Sequence, residues 1–294
     1  MTEAVTPRDE VSAHWWDHRP VFSVTDRASR LTGLAPGRAP GRVTARLLAP
    51  ALLTGLVWAA EALVASWLLC HATAGSCTAG QSGGWLVAGV LVLGYLAVLG
   101  TVGLAEHALE TFGQRRAASL WSWAPLLAGV ALGAGGGAVA RVAAADDPAA
   151  RVRETLDGVP GTEGVLIPAV VGALAAGWGL TIAARLPGAL RHARERQETI
   201  GRLRRDGLRY TGRLRLGEVR LWLHSDPELD VTVAYDTAAG RREIAARMRT
   251  SADRVPVDGS AVVVLDDLRG ALHVELDRDA GPVFAPEQRY TPSE

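Results

Sequence analysis

The sequence predicts an α+β membrane protein: four transmembrane α-helices followed by a small five-stranded antiparallel β-barrel of OB-like type. Three observations carry this. Four long apolar runs are each long enough, at about 1.5 Å per helical residue, to cross the roughly 30 Å of a bilayer's hydrocarbon core. After Leu208 the apolar period changes from helical to two. Arginines gather at alternate ends of the apolar runs, as they do where positive loops stay inside. The chain has 294 residues, with 31 basic and 31 acidic side chains, every basic one being Arg. Nine tryptophans, the residue enriched at membrane interfaces, dominate a small aromatic set.

Residues 1–45 read as a mostly disordered cytoplasmic tail. Arg8, Arg19, Arg27, Arg30, Arg38 and Arg42 alternate with Pro and Gly, and the run LAPGRAPGR cannot hold a helix. Its one patch is HWWDH at His14–His18, a membrane-interface or partner anchor, or two aromatics packed on the protein's own surface. The two histidines have helical spacing, but no third ligand is near, so no metal site is expected. No cleavable leader is expected either, because the first forty residues lack an apolar stretch.

The membrane domain, 46–187, contains spans at about 47–69, 85–105, 124–143 and 165–184. The loop 71–84 holds no positive charge, whereas Arg115 and Arg116 precede the third span and Arg185 and Arg191 follow the fourth. Both termini are therefore expected in the cytoplasm of a multi-pass plasma-membrane protein. Asp147, followed by Pro148, has the form of a helix cap and first turn, so a short helix is expected at the outer surface. Residues 188–207 continue the fourth helix as a basic linker, crossing Pro187–Gly188, the one helix-breaking pair on that path.

The domain 208–279 alternates apolar and polar residues. Leu208, Tyr210, Leu214 and Leu216 share one parity; Val219, Leu221 and Leu223 continue on the other, so a bulge or turn is expected at Gly217. Val231, Val233 and Tyr235 lead through AAGR to Ile244, Ala246 and Met248; AVVVL and then Leu272, Val274 and Leu276 complete five strands. Residues 280–294 form a C-terminal tail.

Candidate sites are few. Glu61 lies near the middle of the first span, where a carboxylate is costly and marks either a functional group or a packing hydrogen bond. Tyr95 and Trp178 can donate to it, and Arg141 can reach down to pair with it. Cys70 and Cys77 bracket the outer end of the first span and can close as a disulfide, stand as free thiols, or act as a redox pair. Gly129, Gly133 and Gly137 line one helix face and allow close approach of another backbone, with Gly89 and Gly172 as facing glycines or a second protomer as partner. Arg185, Arg191, Arg194 and Arg196 form a basic face toward lipid headgroups. The segment 189–294 balances eighteen Arg against eighteen acidic residues, which excludes a phosphate-tracking nucleic-acid surface.

The pattern RYTGRLRLG, then WLHSDPELDVTVAYDTAAGRREIAARM, then RVPVDGSAVVVLDD resembles the membrane-anchored domain-of-unknown-function family 3592 over about residues 208–277. It is similar, more weakly, to the soluble OB-type domain of NfeD-like membrane proteins. Either resemblance implies a small β domain carried by transmembrane helices, and neither brings catalytic residues or a cofactor. The expected function is a non-enzymatic scaffold that meets an unknown protein partner through its cytoplasmic barrel, with homo-oligomerisation open. The competing expectations are a transporter or proton-coupled channel using Glu61, and an outer-face thiol redox protein using Cys70 and Cys77.

Overall fold

A computed structural model describes residues 20–74, 83–223, 226–277, 279–281 and 283–284. In chain order the elements are β1 (Val21–Ser23), α1 (Ala45–Ala74), α2 (Gly83–Phe112), α3 (Arg115–Ala143), α4 (Pro148–Leu156), α5 (Glu163–Asp206), β2 (Leu208–Leu223), β3 (Asp226–Thr237), β4 (Gly240–Arg249), β5 (Ala261–Asp266) and β6 (Leu272–Leu276). Four helices, α1, α2, α3 and α5, are long and apolar enough to cross a membrane. The elements fall into two compact units. One comprises the chain up to Arg42, the segment Leu109–Ala117 and everything from Ala189 onward; the other comprises Val43–Ala108 and Ala118–Gly188.

Within the helical unit, small residues set the spacing. A Cβ on Gly129 would lie 2.3 Å from the Gly55 carbonyl oxygen, and one on Gly133 would lie 2.2 Å from that of Ala59. On Gly137 it would lie 2.5 Å from Ser66 Oγ. The three-glycine face of α3 therefore meets α1 of the same chain, at a separation only glycine permits. Gly172 of α5 meets α3 elsewhere, 2.8 Å from the backbone nitrogen of Gly135, and Gly89 of α2 faces Val64. Trp58 of α1 donates to Thr101 Oγ1 of α2 at 2.9 Å. The short helix α4 begins as its sequence dictates: Asp147 accepts from the Ala149 and Ala150 amides at 3.0 Å, and Pro148 opens the first turn. Helix α5 runs 44 residues through Pro168 and Pro187 without interruption.

The other unit is built on an antiparallel sheet of six strands, ordered β1-β4-β3-β2-β5-β6, that curls into a nearly closed barrel. The five strands expected after Leu208 all form. The sixth, β1, comes from the segment read as tail: Val21, Phe22 and Ser23 pair with Arg249, Met248 and Arg247. Three residues are too few to show a period, and Pro20 and the surrounding arginines hide them. Phe22 is nonetheless 2% exposed and belongs to the barrel core with Leu214, Leu229, Val231, Val233, Tyr235, Met248, Val262, Val264 and Val274. The parity change in β2 is a pair of register shifts between Leu216 and Leu221, within one continuous strand. There a Cβ on Gly217 would lie 2.6 Å from the Asp230 carbonyl oxygen. The long β2 serves both halves of the barrel, pairing with β5 through Leu208–Arg213 and with β3 from Gly212 on.

Candidate functional site

The polar groups that the fold gathers most tightly lie in the barrel unit, where residues 26–41, the α2–α3 turn and the part of α5 from Ala189 onward meet. Ala189, Ala193, Gln197, Ile200 and Leu203 recur every three or four residues on α5 and are all buried. Against them pack the equally buried Leu31, Leu34 and Ala35 of the N-terminal segment, with Phe112 and Ala117 from the ends of α2 and α3. The segment turns at Ala35–Arg38, where the Arg38 amide donates to the Ala35 carbonyl at 3.2 Å. Pro36 and Gly37 (φ 74°) occupy the positions that a type II turn reserves for proline and for a left-handed residue.

Gln197, 1% exposed, joins the three segments with one side chain. Its Oε1 accepts from the Gly41 amide at 2.7 Å, and its Nε2 donates to the carbonyls of Gly33 (3.2 Å) and Thr111 (3.3 Å). Gln114, fully buried, donates from Nε2 to Thr32 Oγ1 at 2.8 Å and to the Arg30 carbonyl at 3.1 Å. Gly33 donates to the Gly113 carbonyl at 2.9 Å. The approach is so close that a Cβ on Gly113 (φ 59°) would lie 1.9 Å from the Gly33 oxygen, and one on Gly41 would lie 2.2 Å from that of Thr111.

Ion pairs surround this joint. Asp26, just after β1, meets His192 Nε2 at 3.1 Å and Arg196 Nε at 3.0 Å, both from α5. Arg204 donates to Glu275 of β6 at 2.6 Å and to the Leu34 carbonyl at 2.7 Å. Arg202 meets Asp267 at 3.1 Å, and Arg115 pairs with Asp226 at the β2–β3 turn. Burial alone would raise the Glu275 carboxyl, but His273, 3.0 Å away, and Arg204 outweigh it and hold the group at about 2. Asp267 is lowered because the amides of Arg269 and Ala271 donate to it, with Arg202 adding to the effect. Together with Asp266, which accepts from the Leu268 amide, it shapes the β5–β6 turn. These acids are structural caps, each with its donors in place.

The intramembrane candidates stand apart from one another. Glu61 is half-buried on α1, and among the described residues it has no hydrogen-bond or ion-pair partner. Tyr95 and Trp178 are exposed on the surfaces of α2 and α5, at 66% and 69%. Arg141 does not turn inward to Glu61. It donates to the Gly164 carbonyl at 2.8 Å and to the Ser66 carbonyl, with its guanidinium 5.5 Å from the Trp67 ring centroid. Ser66 lies five residues after Glu61, about 7.5 Å nearer the end of the helix, and its carbonyl is the acceptor within reach. Of the basic residues read as lipid-facing, Arg185 and Arg191 are exposed, Arg194 is exposed and paired with Glu198 at 2.8 Å, and Arg196 is turned to Asp26. Cys77 and His14–His18 lie outside the described residues, as does the side chain of Cys70.

Gln197, Gln114 and Asp26 were not singled out from sequence. The buried α5 stripe was available as a three- and four-residue recurrence of Ala189, Ala193, Ile200 and Leu203, masked by the arginines between them. No family model, no curated protein and no solved structure matches the chain.

Proposed function

We propose that the protein is a non-enzymatic scaffold of the plasma membrane, with both termini cytoplasmic and the β-barrel as its interaction module. One observation carries this reading. Polar side chains on the β5–β6 side of the barrel are engaged with α5 and the N-terminal segment, while the outer face of β2, β3 and β4 is left open toward the β3–β4 turn, Glu228 and Arg249 at its other end being buried. Arg204 and Arg202 hold Glu275 and Asp267, whereas Arg213, Arg215, Asp236, Arg241 and Glu243 are exposed. The cytoplasmic orientation is supported by Arg42 and Arg46 before α1, Arg115 and Arg116 opening α3, and Arg185 and Arg191 on α5. We propose further that the barrel is of OB type. Its support is the long bent β2 that pairs with both β3 and β5.

Site-specific photo-crosslinking in intact cells tests the scaffold reading. A crosslinker at Arg215 on the open face should give a discrete protein adduct, and one at the exposed Leu132 of α3 should give lipid adducts instead. An Arg215 probe that captures no protein above the Leu132 background would sink the proposal. A fluorescent protein fused after Glu294 should fluoresce in cells if the termini are cytoplasmic; a dark fusion that is made in full would reverse the orientation.

A further inference from the structure

We infer that α4 is an in-plane membrane anchor, with Leu156 and Val152 set into the boundary between lipid headgroups and acyl chains. The inference belongs to the helical unit and does not depend on what the barrel binds. A helix of nine residues is too short to hold by itself, yet α4 is closed at both ends. Asp147 and Pro148 make its first turn. At the other end the Gly158 amide donates to the Thr155 carbonyl at 3.3 Å, and the Val159 amide donates to the Glu154 carbonyl at 3.0 Å. With Gly158 at φ 67°, these are the two bonds of a Schellman cap. The backbone is fully capped while the apolar side is left bare.

Leu156 is 77% and Val152 43% exposed, and Val159 just beyond the helix is exposed too. Thr155, 8% exposed, marks the side turned to the protein. At about 100° per residue, Leu156 stands roughly a quarter turn round from Thr155, with Val152 between them. Glu154 lies about 200° from Leu156, on the far side, and Arg151 pairs with it there at 3.4 Å. Arg153 borders the apolar side, has no ion-pair partner among the described residues, and is long enough to reach a headgroup phosphate. The occupant of the bare side follows from where the helix is tied. Four residues join it to α3 and six join it to α5, and both of those helices are long and apolar enough to cross a membrane. Each tether spans at most about 25 Å, so α4 stays close to the bilayer surface. Val139 of α3 and Ile167 and Val170 of α5 are exposed as well, so the ends that α4 connects carry the same apolar surface. Three aliphatic side chains fall well short of the roughly 800 Å² per partner of a specific protein interface, but they suffice for an interfacial helix.

The test uses the full chain, with Cys70→Ser and Cys77→Ser, in vesicles of phosphatidylcholine. A nitroxide label is placed singly at Val152, Glu154 or Leu156, with the exposed Leu132 of α3 as the lipid reference. Collisions with oxygen, which concentrates in the bilayer, are compared with collisions with a water-soluble nickel chelate. The oxygen-to-nickel ratio should be several-fold higher at Val152 and Leu156 than at Glu154, and should approach that of Leu132. Equal, water-like ratios at all three α4 positions would overturn the inference. Labels at Val152 and Leu156 shielded from both reagents would overturn it equally, because protein rather than lipid would then cover that side.

Discussion

Gln197 bonds two carbonyls and one amide from a buried side chain, and its replacement shows what the joint is worth. In Gln197→Leu the shape is roughly kept while Gly41 N and Gly33 O lose their buried bonds to the side chain. Stranding buried backbone groups in this way should cost about 3 kcal/mol, read as a lowered midpoint for the barrel in thermal or denaturant unfolding. Gly113→Ala should be as damaging for a different reason, since the new methyl would meet the Gly33 oxygen in a left-handed backbone conformation. Gly188→Ala is the contrasting case: nothing lies within 4 Å of its Cβ position, and inside a helix alanine is favoured, so stability should hold or rise. At this scale little was legible. A glutamine inside an arginine-rich helix has no sequence signature of burial, and its partners are backbone groups far away in the chain.

Glu275 adds a pH dependence with a definite sign. Its folded-state carboxyl sits at about 2, below the ordinary 4.5, because His273 and Arg204 favour the ionised form more than burial opposes it. A depressed acid contributes stability that is fully present above the unfolded value and is lost as pH falls through the folded one. The barrel should therefore weaken between about pH 4.5 and 2. Glu275→Gln should flatten that limb of a stability-versus-pH curve. An unaltered acid limb in the variant would mean that other groups set it.

At the scale of elements, the membrane helices and the five C-terminal strands were readable because each repeats a period over enough residues to be seen. The bulge at Gly217 was readable too, as a change of parity. β1 was not, since three residues carry no period, and the Pro-Gly run that followed signalled disorder when it encodes a tight turn. That element is nonetheless part of the barrel. Phe22→Ala should destabilise it by about 4 kcal/mol, as large aromatic deletions in cores do. A fragment covering only 206–280 should be more protease-sensitive than the same barrel within the full chain, because it exposes the edge of β4 that β1 covers. Equal resistance of the two would show β1 to be dispensable.

For the whole molecule, the helical unit rests on small residues and the barrel unit on a joint among distant parts of the chain. The glycine face of α3 was visible in the sequence as a four-residue repeat. Its partner, α1, was not singled out, although Gly55, Ala59, Ala62 and Ser66 recur there at the three- and four-residue spacing of one helix face. The joint is the larger surprise: the N-terminal segment, the α2–α3 turn and α5 converge on it from three places in the chain. Hydrogen–deuterium exchange on the full-length protein in nanodiscs tests that convergence directly. The amides of Gly33 and Gly41, held by the Gly113 carbonyl and Gln197 respectively, should exchange orders of magnitude more slowly than in an unstructured peptide. Gln197→Leu should release Gly41 first. Exchange of residues 20–41 at the rate of a free chain would contradict the account.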